Sequence, residues 1–265
     1  MSNPHPGVIL QRPDHAPHVA ELVLDRPEAM NAISTAQAQS IVAAVGELAA
    51  DRGVRAVVLS SSSDRAFCVG ADLKERNKLT DDELRRQRDI TRGAYTGVLN
   101  LPVPVVAAVR GYALGGGCEL ALACDLIVVD ESAVLGLPEV SVGVIPGGGG
   151  TQLLARRLGW GRAADLIFTA RRVDATEAYR LGLADRLVPA GEARSEALQI
   201  ATSIARNSPV GVRNAKRAMR LGLDASLPAG LDIEDAAWRA TAFSGDRHEG
   251  IAAFNEKRTP DWPGE

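Results

Sequence analysis

The period of apolar and polar positions changes several times along the chain, and each change predicts an element. Gly7–Gln11 and Val19–Asp25 read as the two strands of a hairpin, the second alternating Ala, Leu and Leu with its neighbours before Arg26-Pro27. After a loop through Asn31, Ser34 stands as N-cap of a helix to about Asp51, with Gly53 just past its end. Val54–Ser60 is then a short buried strand, so strand, helix and strand open an α/β core. A polar loop, Ser60–Arg65, leads to Gly70-Ala71, which opens a short helical turn. Thr80-Asp-Asp-Glu83 forms a capping box for a helix to roughly Asn100. Leu101-Pro-Val-Pro104 stops that helix, and Val103–Val109 is a further buried strand.

There the pattern breaks, in Gly111-Tyr-Ala-Leu-Gly-Gly-Gly-Cys-Glu119. Gly115, Gly116 and Gly117 stand between the strand and a buried helix over Glu119–Cys124, whose first turn holds Glu119. Three consecutive glycines lose much backbone entropy on ordering, which is consistent with close backbone approach. Free N–H groups at such a helix start form a site for negative charge. A tight packing turn is the simpler alternative.

Leu126–Asp130 and Ala133–Leu137 are short strands, and Pro138-Glu139 begins a loop through Ile145-Pro146 to a second cluster, Gly147-Gly-Gly-Gly-Thr151. That cluster precedes a helix over Gln152–Leu158, so its amides could again face an anion or a water. Neither cluster fits a Rossmann or P-loop frame. From Gly161 the chain is mostly helical: Arg162–Thr169, a capped start at Asp174 ending at Gly182, a short strand at Asp185–Val188, then Glu192–Arg206, Pro209–Leu221, Leu227–Ala242 and Arg247–Lys257.

Composition narrows the chemistry. A chain of 265 residues with 46% hydrophobic and 24% charged positions and a net charge of -3 is that of an ordinary globular protein, without a basic surface for nucleic acid or an anionic membrane. Met1–Pro17 lacks a leader pattern and no apolar run is long enough to span a bilayer, so a cytoplasmic location is expected. Cys68, Cys118 and Cys124 include no Cys-x-x-Cys and read as core thiols. His5, His15 and His18 crowd one end and His248 the other, which makes a Ser/His/Asp triad or a histidine metal site hard to build. Carboxylates and backbone amides are left to carry any chemistry. Arg85, Arg86 and Arg88 either face solvent or line a pocket.

Six strings in order, Leu24–Ala32, Phe67–Lys74, Gly111–Glu119, Leu137–Glu139, Ile145–Thr151 and Ala253–Lys257, show that the chain resembles the enoyl-CoA hydratase/isomerase (crotonase) superfamily over essentially its whole length. The resemblance implies an α/β fold: a crotonase-like ββα spiral core over residues 1–190, and a C-terminal α-helical oligomerisation region over 191–265 that builds trimers or hexamers and adds CoA contacts. It implies an acyl-CoA thioester substrate, with no metal and no separate cofactor, because coenzyme A is part of the substrate. Glu119 and Glu139 match the catalytic pair, Ala71 and Gly116 the backbone donors of the oxyanion hole, and Gly147 the amide that positions water. Arg26, Ala29, Ala32, Arg65, Lys74, Phe254 and Lys257 match coenzyme A contacts, the last two from a neighbouring subunit. Glu28 departs from the lysine often found there, which weakens the adenine-side match. The resemblance implies hydration of a 2-trans-enoyl-CoA in fatty-acid or branched-chain acyl-CoA metabolism. An isomerase or another acyl-CoA lyase of the family is the alternative, and a non-catalytic scaffold, for instance an RNA-binding one, is the alternative of another class.

Overall fold

The computed structural model describes residues 5–265. Met1–Pro4, the start of the stretch in which no leader pattern is read, lie outside the described residues. In chain order the strands are β1 (Val8–Gln11), β2 (Val19–Leu24), β3 (Ala56–Ser61), β4 (Ala66–Cys68), β5 (Val105–Val109), β6 (Tyr112–Leu114), β7 (Leu126–Asp130), β8 (Val134–Gly136), β9 (Arg172–Asp174) and β10 (Arg186–Val188). The helices are α1 (Thr35–Ala50), α2 (Leu73–Arg76), α3 (Asp81–Leu99), α4 (Gly116–Ala123), α5 (Gly150–Leu158), α6 (Trp160–Thr169), α7 (Ala175–Leu181), α8 (Ala193–Ala205), α9 (Pro209–Gly222), α10 (Leu227–Ala242) and α11 (Gly245–Glu256).

The larger sheet has the order β1-β2-β3-β5-β7-β10, and only its first pair, the expected hairpin, is antiparallel. Its middle strands show no alternation in sequence because both faces are covered. Val105, Ala107 and Val109 join the main core with Ile41, Tyr95 and Leu120 from the helices on one side. Val106 and Ala108 face the other side, where α8 lays down Ala193, Ala197, Ala201 and Ala205 at a spacing of four. Small residues at that spacing let the helix sit close to the strands. Thus α8, on the helical side of the division expected after residue 190, makes its contacts with the core sheet.

The smaller sheet, β4-β6-β8-β9, sets the site. The chain repeatedly runs from a strand of the larger sheet to a strand of the smaller one and then into helix: β3–β4–α2, β5–β6–α4, β7–β8–α5. Because β4, β6 and β8 are parallel neighbours, the residues that follow them emerge along one edge. Those residues are Ala71, Gly116 and Glu139. The periodicity assigns no strand to β4, β6 or β9, since three residues are too few for a period of two to register. It also starts α4 at Glu119, whereas the helix begins at Gly116.

Asp125, which closes the first glycine-rich motif, is structural. It accepts hydrogen bonds from Val105 N–H at 2.8 Å, Lys216 Nζ at 2.7 Å and Arg220 Nη2 at 2.9 Å, tying α9 to the core. In contrast, α10 buries none of its side chains and leaves Leu227, Leu231, Trp238 and, just beyond its end, Phe243 exposed.

Candidate active site

Gly115 holds φ at +53°, a conformation that L side chains rarely adopt, and this turns the chain from β6 into α4. Its N–H donates to Gly136 O at 2.9 Å, and its carbonyl accepts from Glu119 N–H at 3.0 Å, the first bond of the helix. Gly116, one residue into α4, therefore has an N–H with no partner in the helix. Across from it, Ile33 N–H donates to Gly70 O at 2.7 Å and Asp72 N–H donates to Ile33 O at 3.0 Å. These two bonds hold Ala71 from either side and leave its own N–H outside the ladder. Gly70, at φ +87°, packs so closely on the start of α4 that a Cβ there would stand 2.9 Å from Gly116 N. The fold thus sets the two free amides side by side.

Both lie on a cavity of about 1100 Å³ whose wall also includes Glu119, Glu139, Gly147 and Tyr95. Glu119, 3% exposed, has its carboxylate fixed by the second glycine cluster: Oε1 accepts from Gly148 N–H at 2.6 Å and from Gly150 N–H at 2.9 Å. The expected anion at those amides is thus a side chain of the protein itself. A Cβ on Gly148 would lie 2.8 Å from Glu119 Oε2, and one on Gly150 3.0 Å from Oε1, so no larger residue leaves the carboxylate where it is. Gly147 accepts from Arg88 Nη2 through its carbonyl at 2.6 Å, and its N–H makes no hydrogen bond among the described residues.

Burial raises the pKa of Glu119, while the two amides and the charges of Arg88 and Arg76 oppose the rise. Glu139 begins a single 3₁₀ turn (Glu139–Val142) and has no comparable support. Its Oε2 is buried and without a hydrogen-bond partner. Burial, aided by the charge of Glu119 and opposed by its own backbone amide, pushes its carboxyl up to about 7. One carboxylate is therefore clamped, and the other is poised to exchange a proton near neutral pH.

Of the remaining expected residues, none lines the cavity. Arg26 turns inward, donating to Ala32 O at 2.5 Å and to Asp72 Oδ2 at 3.2 Å, where it steadies the loop carrying Ala71. Ala29 lies in the 3₁₀ turn Pro27–Ala29 just before it, and Arg65, just before β4, and Lys74, in α2, are exposed. Phe254, 84% exposed, and Lys257, the C-cap of α11, are on the last helix. Among the described residues, no three His, Cys, Asp or Glu side chains are grouped to hold a metal ion.

Sequence reasoning missed Tyr95, Gln87 and Arg76. The signal was present on α3: Gln87, Thr91, Ala94, Tyr95 and Val98 form its buried stripe, and polar residues on a buried stripe mark a wall that faces something other than core. Buried Gln87 donates from Nε2 to Thr35 Oγ1 at 2.8 Å and accepts at Oε1 from Arg76 Nε at 3.1 Å. Among the described residues Arg76 makes no ion pair, and its Nη groups make no hydrogen bond. Of the three arginines noted on α3, Arg85 pairs with Asp82 at 2.5 Å and lines the cavity with Arg88, whereas Arg86 does not.

Known proteins share the sequence and the fold. Residues 14–265 match the family described as Enoyl-CoA hydratase/isomerase. The chain belongs to that family. It is 41% identical to mouse mitochondrial methylglutaconyl-CoA hydratase, covering 93% of this chain and 80% of that one. It is 40% identical to human mitochondrial enoyl-CoA hydratase domain-containing protein 2, over 93% of this chain and 86% of the relative. The crystal structure of an enoyl-CoA hydratase from Bacillus anthracis superposes with a TM-score of 0.94 at 40% identity, over 98% of this chain and all of the other. The α/β fold with C-terminal helices expected from the six strings is thus the fold of the protein.

Proposed function

We propose that the protein is an enoyl-CoA hydratase that adds water reversibly to a 2-trans-enoyl-CoA to give the 3-hydroxyacyl-CoA. The observation that carries this reading is the unequal pair of carboxylates beside two free amides. The thioester oxygen accepts from the N–H groups of Ala71 and Gly116, which stabilise it as the enolate forms; one such donor contributes about 2.7–4 kcal/mol. Glu119, clamped through Oε1, holds a water on Oε2 with help from the Gly147 N–H and takes its proton as the oxygen bonds to the β-carbon. Glu139, protonated below about pH 7, gives its proton to the α-carbon. The double-bond electrons pass through the enolate into that new C–H bond, and the proton left on Glu119 returns to solvent or to Glu139. No metal or redox cofactor takes part.

Coenzyme A would run along Arg26–Ala32, Arg65 and Lys74, with Phe254 and Lys257 supplied by a neighbouring subunit. The bare apolar side chains of α10 support assembly into a trimer or hexamer, because so large an exposed patch is unusual on a monomer. An isomerase needs one base only, and clamping a second carboxylate with two amides favours hydration.

The acyl end is read more finely from Arg76 and Arg88. Neither forms an ion pair among the described residues, both line the cavity, and Gln87 orients the fork of Arg76. The half-buried Arg76, whose Nη groups make no hydrogen bond among the described residues, and the exposed Arg88 on the same cavity favour a carboxylate on the substrate, which they would bind through paired N–H donors. A methylglutaconyl-CoA hydratase among the relatives supports the same substrate class. The test is hydration of crotonyl-CoA, longer enoyl-CoAs and 3-methylglutaconyl-CoA in ¹⁸O-water. The label is expected at C3 of every product formed, with the highest kcat/KM for the carboxylated substrate and Arg76→Met removing that preference. Failure to label any product overturns the hydratase reading, and equal rates across the panel overturn only the carboxylate.

A further inference from the structure

Tyr95 is a polar group of the cavity that this mechanism leaves idle, and its hydroxyl stands against Gly116. It is 6% exposed within the main core, and its hydroxyl makes no hydrogen bond among the described residues. The ring also dictates its surroundings. Its Cδ2 and Cε2 atoms lie 2.7 and 2.8 Å from where a Cβ of Gly148 would stand, and its Oη lies 2.2 Å from where a Cβ of Gly116 would stand. A Cβ at either position would meet the tyrosine. The ring thus passes the clamp of Glu119 and ends with its hydroxyl against the residue whose N–H is free. That same Gly116 Cβ position is 3.4 Å from Gly70 Cα, so the hydroxyl points to the gap between the loop of Ala71 and the start of α4.

We propose that Tyr95 is a third donor of the oxyanion site, its hydroxyl donating to the thioester oxygen beside the N–H groups of Ala71 and Gly116. The bond strengthens as that oxygen takes up negative charge, and the partner missing from the protein is the substrate. Burial and the nearby Glu119 raise the phenol above its ordinary pKa, so the proton stays on the oxygen over the working range. The inference rests on reading Ala71 and Gly116 as an oxyanion pair, which hydration and isomerisation share.

Tyr95→Phe tests it, since the ring and the packing stay. Three quantities are compared with wild type: hydration of an enoyl-CoA, exchange of the α-proton of a saturated acyl-CoA in deuterated water, and the carbonyl stretch of bound enoyl-CoA. A third donor predicts that kcat falls roughly tenfold or more in both reactions, below the 10²–10³-fold cost of a principal oxyanion donor. KM should change less than about twofold, the pattern of an interaction made mainly in the transition state. The bound carbonyl stretch should move to higher frequency, which a packing role would not produce. Unchanged rates with an unchanged stretch overturn the proposal, and loss of hydration with exchange intact overturns it by assigning the hydroxyl to the water. A wild-type protein that exchanges the α-proton but does not hydrate would sink the hydratase reading and still leave the role of Tyr95 decided by exchange and by the stretch.

Discussion

Glu119 and Glu139 face one cavity from two parts of the fold, and their surroundings are built in opposite ways. Glu119 rises from the first turn of α4, where the second glycine cluster folds over it and delivers two N–H groups to a single oxygen. Glu139 comes from a short 3₁₀ turn after β8, with one oxygen buried and unpaired. Burial raises both pKa values, but the amides restrain the shift of Glu119, whereas the charge of Glu119 adds to that of Glu139. The contrast teaches how identical side chains can be given different surroundings, which under the proposed mechanism suit one to hold water and the other to donate a proton. The donors that separate them are main-chain groups, which glycines admit by having no Cβ in the way.

The sharpest way to break the comparison is to neutralise each carboxyl in turn. Glu119→Gln and Glu139→Gln should each lower the kcat of hydration by about 10²-fold or more while leaving substrate binding intact, and the double variant should lose little beyond either single one. Followed by α-proton exchange in deuterated water, the two should separate. Exchange needs the acid/base but no activated water, so Glu119→Gln keeps more exchange than hydration and Glu139→Gln loses both. Hydration near the wild-type rate in either variant would refute the division of labour.

A milder change attacks the clamp. Gly148→Ala puts a methyl group 2.8 Å from Glu119 Oε2 and 2.7 Å from the Tyr95 ring, and should cost roughly tenfold in kcat through misplacement of the carboxylate. Exchange should suffer less than hydration, as in Glu119→Gln. Equal losses in both reactions would show that the turn serves the oxyanion side instead.

The smallest effects are in pH. With Glu139 titrating at about 7, kcat/KM for hydration should fall as pH climbs past that value, and the reverse dehydration should rise. In Glu119→Gln the inflection should move to lower pH, since the neighbouring charge is gone. Stability carries the same signature. Folding raises this carboxyl from 4.5 to about 7, so the proton it holds stabilises the native state at low pH, and that contribution disappears as pH rises through 7. Glu139→Gln should therefore melt close to wild type near pH 4 and above it at pH 8, by about 1–2 kcal/mol once the half-open setting is discounted for screening. Thermal scans at the two pH values check this, and equal melting differences at both would mean that the site is wetter than its geometry implies.

Much of this was legible before any coordinates. The capping box at Thr80, the N-caps at Ser34 and Asp174, and Pro209 at the first position of α9 all stand where local chemistry puts them, because a cap depends on residues within one turn. The buried strands were found by their unbroken Val and Ala runs, and the glycine clusters singled out with Glu119 and Glu139 line one cavity with them. Harder to read were Tyr95 and Arg76, whose meaning depends on what packs opposite them. Equally hidden was the bond from Arg26 to Asp72, which joins two loops far apart in the chain.

By itself, then, the amino-acid sequence determined the α/β class, the helix starts and the chemistry left over once histidine and cysteine were set aside. These are local or compositional properties, carried by a few neighbouring residues or by none in particular. Tertiary structure alone decided that β4 and β6, three residues each and without a readable pattern, lie parallel beside β8. That pairing places Ala71, Gly116 and Glu139 on one edge although they come from positions far apart in the chain. It also decided that Gly148 and Gly150 spend their amides on Glu119. No local rule reports which distant carboxylate a glycine will meet, because that contact exists only after the units of the spiral have packed against one another.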